Sequence, residues 1–244
     1  MGRRCRKIGM GVLAILSTGG GMTEFFLALA VFLALHMVPA AAPLRARLIA
    51  ALGRPLYIAL FSLASVLALA WLIWAALAAP YVGLWPPSPA TTLVPIVAMA
   101  PACLLFAAAA TRPNALSVSF IGGEPDAVRP GILALVRHPI LWAFFLWSAG
   151  HAVANGDLVA LIMFGGFALF SLAGMRLQER RARRRLAPDA YGAAMALARG
   201  GFADRLRRSA SPRLALELGA GAALYVALIA LHGPIIGIDP LALL

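Results

Sequence analysis

Long apolar runs separated by short polar stretches dominate this chain. A helix needs about 20 predominantly apolar residues to cross the ~30 Å hydrocarbon core of a bilayer. Five runs are strong candidates, at residues 24–42, 55–79, 93–110, 132–154 and 158–177, and a weaker sixth covers 214–231. The second opens on Pro55, placed where a helix start has no use for the missing N–H. Pro139 lies near the beginning of the fourth, and Glu217 near that of the sixth. The pattern predicts an all-α protein, a polytopic membrane bundle of about six transmembrane helices.

Composition agrees. Hydrophobic residues make up 62% of the 244 and charged residues only 12%, where a soluble domain is near half apolar and a quarter charged. A water-soluble surface could not hide that much apolar area. The two cysteines, Cys5 and Cys103, belong to no CxxC motif, and Cys103 reads as a small packed thiol inside an apolar run.

The net charge of +12 is carried almost entirely by arginine, with Lys7 the single lysine. A high pI can signal nucleic acid, but no groove-reading motif accompanies these charges, so no nucleic-acid partner is expected. The loops alternate instead. Arg45, Arg47 and Arg54 lie between runs one and two, and residues 80–92 carry no charge. Arg112, Arg129 and Arg137 lie between three and four, partly balanced by Glu124 and Asp126. Between four and five there is only Asn155-Gly156-Asp157, and residues 176–208 hold ten arginines and three acids. Every basic loop falls on one face of a six-helix model. The positive-inside rule places that face in the cytoplasm, which in a bacterial inner membrane leaves both termini in the periplasm. Arg3, Arg4, Arg6 and Lys7 oppose that placement of the N-terminus; a cleavable signal segment, with a basic start and a short apolar stretch, is one account, and translation starting at Met22 is the favoured one. Within the long basic segment, Glu179 is expected to pair with Arg183 at i,i+4.

An ionisable side chain inside a membrane span is a functional-site hypothesis by default. The histidines are His36, His138, His151 and His232. Pro39 cannot donate to the carbonyl of Leu35, so the first helix bends or ends just past His36. His138 and His151 are 13 residues apart, which on a straight helix separates them by roughly 140° and about 20 Å. They do not share a face, and each needs a partner from elsewhere. For any one histidine, a bond to a neighbouring backbone carbonyl is the plain structural alternative. The sequence contains no P-loop, GxGxxG or zinc spacing, and Gly19-Gly20-Gly21 suggests no catalysis.

Several short stretches, taken in order, carry a resemblance. They are Phe32-Leu33-Ala34-Leu35-His36, Leu52-Gly53-Arg54, Ala79-Pro80, Leu84-Trp85-Pro86 and Arg137-His138-Pro139 with Leu141-Trp142. They continue with Leu146-Trp147, Gly150-His151, Asn155-Gly156-Asp157 and Phe164-Gly165-Gly166. From about Met22 to Gly174 the chain resembles the NnrU family, bacterial membrane proteins associated with nitrogen-oxide respiration (denitrification). That family is similar in turn to zeta-carotene isomerase, a membrane enzyme that uses haem b. The resemblance implies haem b held by His36 and His151 from helices one and four, with an isomerase or redox role. It also implies partners among lipids, a hydrophobic small molecule or membrane proteins of denitrification. A non-enzymatic assembly role is the alternative.

Arg137 and His138, with Glu179 and Tyr191 further on, are similar to the C-terminal half of isoprenylcysteine carboxyl methyltransferases. That likeness implies an S-adenosylmethionine site, although one acid stands here where two are usual. The organisation expected is an N-terminal extension at 1–21, an NnrU-like five-helix membrane domain at 22–177, a basic cytoplasmic segment at 178–212, and a last transmembrane helix with its tail at 213–244.

Overall fold

The structure, a computed structural model, describes residues 19–37 and 42–244. The charge conflict at residues 1–18 lies outside them. The fold is all-helical, with no strand among the described residues. The helices are α1 (Gly19–Met37), α2 (Ala42–Leu52), α3 (Arg54–Ala78), α4 (Pro89–Ala110), α5 (Pro139–Asn155), α6 (Leu158–Arg185), α7 (Pro188–Ala196), α8 (Phe202–Ser209) and α9 (Pro212–Ile236). The chain divides into two compact units, one of residues up to 84 with 157–159, the other of 85–156 with 160–244.

In the first unit α1 and α3 pack antiparallel. Phe25, Ala28, Leu72 and Ala75 are fully buried between them, and the Trp71 indole N–H donates to Glu24 at 3.3 Å. A Cβ on Gly21 would stand 3.2 Å from the carbonyl oxygen of Ala78, so the small residue permits the close approach. Gly53, at φ 74°, separates α2 from α3 in a conformation that other residues resist. Pro55 follows in the first turn of α3. The segment at 157–159 closes this unit through the Leu158 N–H, which donates to the carbonyl of Val82 at 2.9 Å.

The second unit is built on α4. Its start is a reciprocal cap: the Ser88 hydroxyl accepts from the N–H of Thr91 at 3.2 Å, and the Thr91 hydroxyl accepts from the N–H of Ser88 at 2.9 Å. Glycines bring the neighbouring helices onto it. A Cβ on Gly150 of α5 would lie 2.9 Å from the Cα of Pro95, and one on Gly221 of α9 would lie 2.8 Å from the Cα of Leu104. Small residues at helix crossings are the usual means of close packing where water supplies no hydrophobic drive. The Tyr225 hydroxyl adds a bond from α9 to the Ile96 carbonyl at 3.0 Å.

Four of the six expected spans are long and apolar enough to cross a membrane: α3, α4, α6 and α9. The other two are shorter, the apolar stretch Gly21–Met37 in α1 and the 17 residues of α5. The fourth expected span, drawn from residue 132, does not begin there. Gly131–Ala134 forms a separate 3-10 turn, and His138 has non-helical backbone (φ −123°, ψ 56°). Proline disfavours the α conformation in the residue before it, so α5 starts at Pro139. The first helix is described from Gly19 to Met37; the expected end of the run at 42 and the breaking role expected of Pro39 lie outside the described residues. Apolar side chains cover the outward faces: Leu77, Leu169 and Leu216 are 82%, 69% and 77% exposed. Such surfaces suit acyl chains rather than water.

Candidate functional site

His36 sits in the first unit near the end of α1. Its ring Nδ1 is 2.8 Å from the carbonyl oxygen of Phe32, one turn earlier. A carbonyl only accepts, so Nδ1 carries the proton and a neutral ring keeps its lone pair on Nε2. Aromatic rings surround it, Phe32 at 4.2 Å and Phe61 at 6.0 Å between centroids. Phe61 also stacks on Tyr57, one turn back along α3, at 6.2 Å. The Tyr57 hydroxyl is buried with no hydrogen-bond partner among the described residues, as is the Ser65 hydroxyl one turn beyond Phe61. Tyr57, Phe61 and Ser65 recur every four residues and lie on one stripe of α3. A buried hydroxyl without a partner costs free energy, and such a hydroxyl suits the polar edge of a ligand. Sequence reasoning passed over both. The cue was available in a tyrosine and a serine at helical spacing within an otherwise apolar span.

His151, in the second unit, has the same arrangement. Its Nδ1 donates to the Trp147 carbonyl at 2.8 Å, again leaving Nε2. Trp147 at 5.7 Å and Phe164 at 5.3 Å flank the ring, and Phe167 stacks on Trp147 at 6.1 Å. His232 likewise donates from Nδ1, to the carbonyl of Ile238 at 2.7 Å. No group of three or more metal-ligating side chains occurs among the described residues.

Arg137 and His138 meet Glu179. Arg137 Nη1 donates to Glu179 Oε1 at 3.0 Å, and His138 Nε2 lies 3.6 Å from Glu179 Oε2, a charge contact longer than a hydrogen bond. Glu179 therefore pairs across to the loop before α5 and not, as i,i+4 spacing suggested, with Arg183. The His138 side chain is 7% exposed, and its Nδ1 has no partner among the described residues. Burial pushes its pKa below the usual histidine value, and Glu179 draws it partly back. Beside this triad an open cavity of about 280 Å³ is lined by Arg176, Glu179, Arg180, Arg183 and Tyr191.

A second polar cluster is structural. Glu217 in α9 is buried and accepts from Arg112 Nε at 2.9 Å, Thr111 Oγ1 at 3.0 Å and Arg213 Nε at 3.0 Å. Arg112 also donates to the Arg129 carbonyl at 3.2 Å. Gly131, at φ 57°, leaves the space that the Arg112 guanidinium occupies. Sequence reading saw Glu217 and Arg112 separately, 105 positions apart, and nothing in periodicity joins them.

Other stretches noted in the sequence have packing roles. The Trp85 indole donates to the Val153 carbonyl at 2.9 Å, and its backbone N–H donates to the Gly156 carbonyl at 3.1 Å. Gly156 ends α5 at φ 64°, and a Cβ there would collide with the Trp85 backbone. Leu141 lies against Gly174, 3.7 Å from the position of a Cβ there.

Long apolar helices, glycine-mediated crossings and outward leucines define a polytopic helical membrane protein. Residues 24–240 match the family model described as NnrU protein. The chain belongs to that family, and the match reaches well past Gly174, taking in α7, α8 and α9. No curated protein and no solved structure matches the chain.

Proposed function

We propose that this NnrU-family protein binds haem b through His36 and His151 and serves nitrogen-oxide respiration in a bacterial inner membrane, with its basic loops cytoplasmic. The observation that carries the reading is that His36 and His151 each combine a carbonyl-bonded imidazole with flanking aromatic rings, whereas His232 makes the carbonyl bond alone among the described residues. Each holds its Nδ1 proton on a carbonyl of its own helix, at 2.8 Å in both cases. That bond fixes the tautomer and turns the ring, which is how a metal-ligating histidine is usually prepared. Each imidazole lies among aromatic rings that suit a porphyrin, and the partnerless Tyr57 hydroxyl near His36 offers a donor for a polar edge of the cofactor. Iron held by two histidines would supply one-electron transfer. The protein would bind the group, set its ligand basicity through the carbonyl bonds and keep water out with Phe32, Phe61, Trp147 and Phe164. A role on a hydrophobic small molecule, including isomerisation, belongs to the same reading.

The test is the visible spectrum of protein purified after expression with ample haem. A Soret band is expected. His36→Ala and His151→Ala should each abolish or strongly diminish it, while His232→Ala leaves it in place. Protein without a Soret band, or a band indifferent to both substitutions, would overturn the assignment.

The convergence of Arg137, His138 and Glu179 favours a second reading, an S-adenosylmethionine site. The sulfonium of that ligand is cationic, and the adjoining cavity is lined by three arginines, with its single acid already engaged by Arg137. Calorimetry with S-adenosylmethionine separates the readings, since binding heat is expected only under the second.

A further inference from the structure

Residues 176, 180 and 183 are spaced i, i+4 and i+7, so three arginines lie on one face of α6. They line the cavity of about 280 Å³ together with Glu179 and Tyr191. These three are exposed and line one open concave face, and none of them makes an ion pair or hydrogen bond among the described residues. Glu179, the one acid on the lining, holds Arg137 at 3.0 Å, and its charge is thereby met from outside the cavity. The net field inside is positive. Tyr191, from α7, also lines it. The volume is at the low end for ligand pockets, suited to a compact charged group rather than a large cofactor.

We propose that this cavity binds a phosphate-bearing anion, held by the guanidinium groups of Arg176, Arg180 and Arg183 with the Tyr191 hydroxyl as a further donor. Guanidinium forks match phosphate oxygens in pairs, and such charge-assisted bonds are the strong ones. The position favours the headgroup of an anionic phospholipid. The apolar part of α6 ends at Met175, so Arg176 and the turns after it stand at the depth where acyl chains give way to headgroups. The proposal is independent of haem binding.

The test titrates the full chain, purified in neutral detergent, with short-chain phosphatidylglycerol, short-chain phosphatidylcholine and inorganic phosphate. Saturable binding of phosphatidylglycerol is expected, much tighter than that of phosphatidylcholine. Joint replacement Arg176→Gln, Arg180→Gln and Arg183→Gln should weaken it at least about tenfold, and Arg207→Gln on α8 should not. Should the triple variant fail to fold, Arg180→Gln and Tyr191→Phe singly should each weaken binding several-fold. Competition by inorganic phosphate would assign the same site to a free phosphate compound, and lack of competition assigns it to lipid. No saturable binding by the wild-type chain, equal affinity for the two lipids, or unchanged binding in the folded variants would overturn the proposal.

Discussion

Tyr57 and His138 show how much a single buried polar atom can report. The Tyr57 hydroxyl is enclosed without a partner, so removing it relieves an unmet bond in the apoprotein. Tyr57→Phe should leave the melting temperature of haem-free protein unchanged or raised, while haem is lost more readily on dilution into haem-scavenging apoprotein. His138 works through charge. Its folded pKa lies below the ordinary value of about 6.5, chiefly because burial disfavours the cation. Above that ordinary value the ring is neutral folded or unfolded and adds no pH dependence to stability. As pH falls below it, the unfolded chain takes up the proton first, and the fold loses stability. Melting of the wild-type protein should therefore drop between about pH 7 and pH 5.5. In His138→Asn the fall should be visibly smaller, and equal slopes in the two proteins would contradict the assignment.

At the scale of elements, helix crossings and the buried ion pair make the strongest demands. Gly221 meets the backbone at Cys103 and Leu104 with no room for a side chain. Gly221→Leu must push α9 off α4, and a loss of about 1–3 kcal/mol is expected, read as reduced melting temperature and protease resistance in detergent. Glu217→Gln would leave the Arg112 guanidinium buried with its charge unmatched, an outcome that typically costs about 3–5 kcal/mol. Arg213, 59% exposed, can turn to solvent, so Arg213→Gln should cost far less. Much at this scale was legible in advance. The runs at 55–79 and 93–110 fall within a few residues of α3 and α4, because apolar length and a starting proline are local signals. The start of α5 was misplaced because Ile132 and Leu133 are apolar through burial in a 3-10 turn, not through belonging to a span. The pairing of Glu179 with Arg137 rather than Arg183 could not be read from spacing. A cross-element charge pair depends on tertiary placement, and a local i,i+4 pair contributes only a few tenths of a kcal/mol against it.

For the whole molecule, the apolar composition and the alternation of charged loops gave the class. The motif order gave the family, although the stretch after Arg176 carried little of that resemblance while the family match extends to residue 240. A cysteine-free background of Cys5→Ser and Cys103→Ser allows the sidedness to be read. An impermeant maleimide applied to intact spheroplasts should label Pro87→Cys and not Arg181→Cys, and the reverse pattern would invert the topology. Of the candidate site residues, histidines in or beside apolar runs were flagged by the cost of a polar ring in lipid, and the pair His36 and His151 was singled out by the resemblance alone. The bond of each ring to a neighbouring carbonyl was the plain alternative from sequence and is what the fold shows; which ring nitrogen makes it was not legible. The central proposal is that His36 and His151 bind haem b. Electron paramagnetic resonance of the oxidised, purified protein tests it most directly. The account predicts a low-spin ferric signal of two-imidazole ligation that is lost in His36→Ala and in His151→Ala. A purely high-spin signal, or the absence of any haem iron, would contradict it.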